Sequence, residues 1–166
     1  MASILLAGNP VTLAGDFPEK GHTLKNFTAV QQDLSPLSLD QYKGKKKVLN
    51  IFPSIDTDVC AASVRAFNKK AAGLDNTQVI CLSLDLPFAH KRFCGGEGIG
   101  DLVTGSLYRS GDLARELGVL IMDGPLEGLT ARAVIVLDES DTVLFSELVE
   151  DIVNEPDYGA ALAALS

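Results

Sequence analysis

Lys47-Val48-Leu49-Asn50-Ile51-Phe52, then Pro53-Ser54-Ile55-Asp56-Thr57, then Asp58-Val59-Cys60-Ala61-Ala62-Ser63-Val64-Arg65-Ala66-Phe67, is the stretch on which the fold turns. The opening run is nearly continuous apolar sequence between a lysine cluster and a proline, the pattern of a strand buried on both faces. The loop 53–57 follows. From about Asp58 to Ala72 the apolar positions Val59, Ala62, Val64, Phe67 and Ala71 recur near the helical period. Thr57 suits the N-cap, Asp58 suits the positive end of the helix dipole, and Gly73 supplies a stop. Gln78-Val79-Ile80-Cys81-Leu82-Ser83-Leu84 then reads as a second buried strand. Strand, helix, strand in this order predicts a parallel pair joined by a right-handed crossover.

Upstream, Ile4-Leu5-Leu6 and Val11-Thr12-Leu13 flank Gly8-Asn9-Pro10 and predict a small hairpin. Residues 16 to 45 are mixed, with a short strand at Phe27–Val30. Downstream, Pro87 to Phe93 reads as a short helix, and Gly95-Gly96-Glu97-Gly98-Ile99-Gly100 as a flexible loop. Ser110 to Leu117 is a helical pattern closed by Gly118. Ala133–Leu137 and Thr142–Ser146, separated by Asp138-Glu139-Ser140-Asp141, form the clearest hairpin signal in the chain. Pro156 opens a last Ala- and Leu-rich helix to Leu165. There is no internal repeat and no linker, so residues 1–166 read as one domain. The expected architecture is α/β, a mixed central sheet with helices on both faces and an N-terminal β-hairpin. That order of elements is the one expected of a thioredoxin-like fold.

Composition narrows the function. Fourteen Lys and Arg against 22 Asp and Glu give a net charge of −8, which argues against nucleic-acid phosphates and against an anionic membrane surface as partners. The run Lys43, Lys45, Lys46 and Lys47 reads as a solvated turn before a strand. No segment approaches the length of a bilayer span, and the N-terminus lacks the basic flank of a secretory signal, so the expected location is the cytoplasm. Three Cys residues are too few, and too odd in number, for a disulfide-stapled scaffold.

Cys60 falls in the first turn of a helix that directly follows a strand and a tight loop. Helix N-termini present N–H groups without intrahelical partners and a partial positive charge, and both favour the reactive thiolate. The bland alternative is a small buried apolar residue, which is how free Cys usually behaves. Cys81 sits mid-strand among Val79, Ile80, Leu82 and Leu84 and reads as buried and inert. His22 and His90 are isolated; His90 reads as a surface residue, and no spacing of His and Cys suggests a metal site.

The segment Pro53-Ser54-Ile55-Asp56-Thr57-Asp58-Val59-Cys60 resembles the peroxiredoxin signature, in which a Pro and then a Thr precede the nucleophilic Cys, the Thr by three residues. The resemblance is closest to the bacterial thiol peroxidases, the atypical two-cysteine peroxiredoxins. It extends through Gly8-Asn9-Pro10-Val11-Thr12, Asp85-Leu86-Pro87-Phe88-Ala89, Arg92-Phe93-Cys94-Gly95, Gly124-Pro125-Leu126, Ala131-Arg132-Ala133-Val134 and Glu155-Pro156-Asp157-Tyr158, and so covers essentially the whole chain. It implies that Cys60 attacks the peroxide and becomes a sulfenic acid. It also implies that Cys94 resolves this to an intramolecular Cys60–Cys94 disulfide, with the two segments unfolding locally to meet. Thr57 would hydrogen-bond the thiolate and the peroxide, Arg132 would aim its guanidinium at the sulfur, and Pro53 would shield the site. Phe88 and Phe93 would line an apolar mouth for organic hydroperoxides. The implied substrates are hydrogen peroxide and alkyl hydroperoxides, the implied reductant is thioredoxin, and the implied assembly is a homodimer; no cofactor is needed. Asp58 departs from the family, which more often has a small residue or Pro there.

Two other readings stand beside this one. A thiol–disulfide oxidoreductase normally uses a Cys-x-x-Cys pair, and here Cys60 is followed by Ala61, Ala62 and Ser63. A non-catalytic thioredoxin-like binding module would keep the fold and leave Cys60 idle.

Overall fold

The strands β5 (Lys46–Ile51) and β6 (Thr77–Ser83) lie parallel at the centre of a seven-stranded sheet, in the register Lys46 to Thr77 through Ile51 to Leu82. The computed structural model describes residues 2–71 and 74–166. Helix α1 (Asp58–Lys70) makes the crossover between these strands, as the apolar periodicity predicts. Its C-cap is Ala71; the expected extension to Ala72 and the stop at Gly73 lie outside the described residues.

The second crossover was not legible in the glycine tract. Helix α2 runs Pro87–Glu97 and includes Gly95 and Gly96, which were expected in a flexible loop. Gly98, at φ 68°, ends the helix in the left-handed cap that glycine favours. Proline at the helix start and a left-handed glycine at its end hold a helix that the glycines within it would weaken. Strand β7 (Val103–Ser106) follows, parallel to β6. A Cβ on Gly105 would meet Leu82 Cδ2 at 2.8 Å and the Ala29 side chain at 2.9 Å, so close packing requires a glycine there.

The remaining strands extend the sheet on either side. β3 (Thr28–Val30) pairs antiparallel with β7, and β4 (Pro36–Ser38) pairs with β3. On the other side, β9 (Ala133–Leu137) pairs antiparallel with β5, and β10 (Val143–Leu148) with β9. The sheet is therefore mixed, as expected. The N-terminal hairpin of β1 (Ser3–Leu6) and β2 (Asn9–Ala14) forms a separate three-stranded sheet with β8 (Leu120–Ile121). Its turn places Ala7 and Gly8 at positive φ, and both of their N–H groups donate to the Asp151 carboxylate at 2.9 Å.

Two apolar clusters form the core. On one face, α1, α2 and α4 (Tyr158–Ala163) pack Val64, Phe67, Cys94 and Ala161 against Val48, Val79, Val134 and Val136. On the other, the hairpin and the short helix α3 (Leu113–Glu116) pack against Leu49, Ile51, Ile80, Leu82 and Ile135. Both terminal helical segments are shorter than the patterns Ser110–Leu117 and Pro156–Leu165 suggest. The lysine run is also not a uniformly solvated turn. Lys47 is wholly buried and paired with Asp141, and Lys46 donates to the Leu165 carbonyl at 2.8 Å. Because β5 sits inside the sheet with both faces covered, every side chain from Lys47 to Ile51 is enclosed.

Candidate active site

The carboxyl end of β5 and the start of antiparallel β9 come together at one end of the sheet. Ile51 pairs with Ala133, so Arg132, one residue before β9, lies level with the loop that carries the chain from Phe52 into α1. Thr130 Oγ1 donates to the Phe52 carbonyl at 2.8 Å and ties the two segments. The loop then delivers Cys60 into the first turn of α1, where the Ala61 N–H makes the opening helical bond to the Thr57 carbonyl at 2.9 Å. The N–H groups of Asp58, Val59 and Cys60 precede that bond and so form the positive end of the helix.

Cys60 is fully buried, and so is Arg132 at 2% exposure. Arg132 Nη2 donates to Cys60 Sγ at 3.2 Å, and Nε donates to the Ile152 carbonyl at 2.9 Å. Nη1 has no partner among the described residues. Ser63 Oγ donates to the Cys60 carbonyl at 2.8 Å and receives Asn50 Nδ2 from β5, fixing the turn from beneath. The guanidinium is thus anchored at one nitrogen, engaged with the sulfur at the second, and free at the third.

A cavity of about 180 Å³ opens beside this pair, walled by Leu6, Pro53, Val59, Leu126, Ile152 and Val153, with Thr57, Asp58 and Arg132 also on it. Besides Pro53 and Val59, its apolar walls come from the hairpin and from the segments after β8 and β10, to which no role was assigned from the sequence. Pro53 is buried, and it and Arg132 both reach the cavity. Phe88 and Phe93 do not. Phe88 is 62% exposed on α2, and Phe93 lies in a separate groove between α1 and α2, under the Arg65 guanidinium at 5.4 Å. Thr57 occupies the N-cap position, yet its hydroxyl donates to the Ser54 carbonyl at 2.9 Å instead of meeting the sulfur or capping the helix. Its oxygen lone pairs remain available to accept. Asp58 is exposed at the start of the helix.

All three thiols are free. Cys94 lies in the last turn of α2, not in the loop beyond it, and is 4% exposed. Burial pushes its thiol up, with a hydrogen bond from Gln32 opposing. Cys81 is buried mid-strand, as expected, and burial pushes its thiol up to about 12. His90, expected at the surface, is wholly buried on α2. Burial holds its imidazole below the usual histidine range, and the Asp85 carboxylate opposes this only in part.

A mixed sheet flanked by helices, with a lone thiol at the first crossover helix under an arginine and no Cys-x-x-Cys partner, defines a redox protein of thioredoxin-like fold built around one sulfur. Within that class the chain belongs to the Redoxin family, whose pattern it matches over residues 19–162. It is 51% identical to the thiol peroxidase of Leptospira interrogans serogroup Icterohaemorrhagiae serovar copenhageni (strain Fiocruz L1-130), over 99% of this chain and 97% of that one. Its fold superposes on a peroxiredoxin-like protein from Aquifex aeolicus with a TM-score of 0.93 at 35% identity, covering 99% of this chain and 96% of the other. The thiol peroxidase from Chromobacterium violaceum shares the fold at a TM-score of 0.91 and 24% identity, over 98% and 94% of the two chains.

Proposed function

We propose that the chain is a peroxiredoxin-type thiol peroxidase in which Cys60 reduces hydrogen peroxide and organic hydroperoxides. The Arg132 Nη2 to Cys60 Sγ contact of 3.2 Å at the start of α1 carries this reading. The guanidinium is a charged donor fixed on the sulfur that must attack. The thiolate attacks the outer peroxide oxygen, the O–O bond breaks, and the alkoxide or hydroxide leaves with a proton, giving Cys60 sulfenic acid and ROH or water. The free Nη1 of Arg132 and the Thr57 hydroxyl are suited to hold the two peroxide oxygens as charge moves between them. The apolar walls of the cavity support an alkyl substituent on the substrate.

Cys94 then condenses with the sulfenic acid, forming the Cys60–Cys94 disulfide and releasing water. Each thiol is enclosed in its own helix, so the first turn of α1 and the last turns of α2 unwind for the sulfurs to meet. Burial keeps Cys94 protonated, and hence a poor nucleophile, until that opening. Thioredoxin re-reduces the disulfide. Two further parts of this reading are a cytoplasmic location, where a reducing pool keeps three thiols free, and a homodimer. Leu86, Phe88 and Tyr108 are 50%, 62% and 42% exposed. They surround the corner where Ser106 Oγ bonds the Asp85 carbonyl and accepts the Tyr108 N–H, and they support a self-association surface there.

A thioredoxin-coupled assay with hydrogen peroxide and a bulky organic hydroperoxide tests the reading. Wild type turns over both, Cys60→Ser neither, and Cys94→Ser consumes one equivalent and stops. Undiminished turnover by Cys60→Ser would return the chain to another class.

A further inference from the structure

Asp85 lies between β6 and α2, and nothing in the chemistry above uses it. Its Oδ1 accepts from Ser54 Oγ at 2.7 Å, and its Oδ2 accepts from the Ile55 N–H at 2.7 Å and from Ser83 Oγ at 2.6 Å. Ser83 Oγ also lies 2.8 Å from His90 Nε2. The serine has one hydroxyl proton. Directed to the carboxylate, it leaves the serine oxygen to accept from His90 Nε2–H, so the imidazole is the neutral tautomer protonated at Nε2. The carbonyl of Asp85 is in turn held by Ser106 Oγ of β7.

The chain of bonds has a definite span. Ser54 and Ile55 belong to the loop that leads into the turn bearing Cys60. His90 belongs to α2 and stands one helical turn before Cys94. The network therefore ties the loop just before the first unwinding segment to the first turn of the helix whose last turns form the second. A carboxylate receiving a backbone N–H and two hydroxyls binds through charge-assisted hydrogen bonds, the stronger kind.

We propose that Asp85 is a positioning residue that latches the Cys60 loop to the base of α2 and so sets how fast Cys94 resolves the oxidised Cys60. This rests on the roles of Cys60 and Cys94 proposed above. With the latch closed, the sulfenic acid stays beside Arg132 and the cavity, where a second hydroperoxide oxidises it: Cys60–SOH plus ROOH gives Cys60–SO₂H plus ROH. With the latch open, Cys60–SOH plus Cys94–SH gives the disulfide plus water. The latch thus divides each sulfenic acid between productive resolution and inactivation.

The test follows Cys60 by rapid quench, alkylation and intact-mass analysis, first after one equivalent of hydrogen peroxide and then in excess. Asp85→Asn loses the charge and an acceptor oxygen. It should form the disulfide from the sulfenic acid about tenfold faster than wild type, the scale of one charge-assisted hydrogen bond, with sulfinic product per turnover falling by about the same factor. Ser54→Ala removes only the Oδ1 bond and should move both quantities the same way by less; it decides the matter if Asp85→Asn does not fold. Asp141→Asn breaks the buried pair with Lys47 at the far end of β5 and should leave both quantities at wild-type values, although it lowers global stability. Wild-type resolution rates in the folded Asp85 and Ser54 variants would overturn the latch, and so would equal acceleration in Asp141→Asn. Absence of any Cys60–Cys94 disulfide in wild type would instead remove the functional reading on which the latch depends.

Discussion

Arg132 does at one position what no other side chain type could do there. Buried at 2% exposure, its planar fork bonds the Ile152 carbonyl and the Cys60 sulfur and still keeps Nη1 free. Lysine would keep the charge but has no fork to divide among three directions. Arg132→Lys should therefore lower the second-order rate with hydrogen peroxide about 10²-fold, the usual cost of losing one preorganised donor, as read by competition kinetics for peroxide. A rate within a factor of two of wild type would remove Arg132 from the chemistry. Cys60 was legible in a local pattern, a helix start after a strand, whereas Arg132 and Pro53 were picked out only by the resemblance to the peroxiredoxins. The roles of Leu6, Leu126, Ile152 and Val153 as cavity walls were not legible, because the cavity is assembled from segments remote in sequence. Thr57 was legible in position but not in its bond to Ser54, since a hydroxyl's partner depends on how the loop curls.

At the scale of elements, β1, β2, β3, β5, β6, β9, β10 and the first crossover helix followed from apolar patterning, whereas β4, β7 and β8 did not and α2 was read only as far as Phe93. Its glycines read as a break, and the structure instead carries the helix through Gly95 and Gly96 to the cap at Gly98. Tertiary packing of Cys94 and His90 outweighs the weak helix propensity of glycine. The same packing makes α2 sensitive to acid. His90 is enclosed, with Ser83 and Asp85 facing its Nε2 and, among the described residues, no partner on Nδ1. Its folded-state value lies below the unfolded value of about 6.5, so the unfolded chain binds the extra proton first. The contribution of the neutral imidazole is present in full above that value and is lost as pH falls through it toward the folded value. Urea unfolding between pH 7.5 and 5 should show stability declining with acid, and His90→Gln should flatten the decline. An identical pH slope in both proteins would show that His90 is not its source.

Across the whole molecule, the two ends of the central strands do different work. The carboxyl ends of β5 and β6 present the thiol, the arginine and the Asp85 network, as expected for open α/β sheets, whose ligands lie beyond those strand ends. The other end is closed by the Lys47–Asp141 pair, with side chains 0% and 6% exposed. Asp141 is at φ 66°, a conformation asparagine also tolerates, so Asp141→Asn tests charge and not backbone. It should lower unfolding stability by about 3–5 kcal/mol, the cost of leaving a buried charge unpaired, measured by urea denaturation; a loss under about 1 kcal/mol would mean that water or a neighbour takes over the ammonium. The thioredoxin-like architecture was readable in the order of elements, but this division of labour was not, because Lys47 looks like the last member of a solvated lysine run until β5 is placed mid-sheet. In the proposed cycle one sulfur, Cys60, meets the peroxide and Cys94 alone answers it. Treating the reduced protein with one equivalent of hydrogen peroxide and mapping its thiols by peptide mass tests this most directly. The expected product is a Cys60–Cys94 bond with Cys81 still free; unconsumed peroxide, or a bond that includes Cys81, would rule the proposed cycle out.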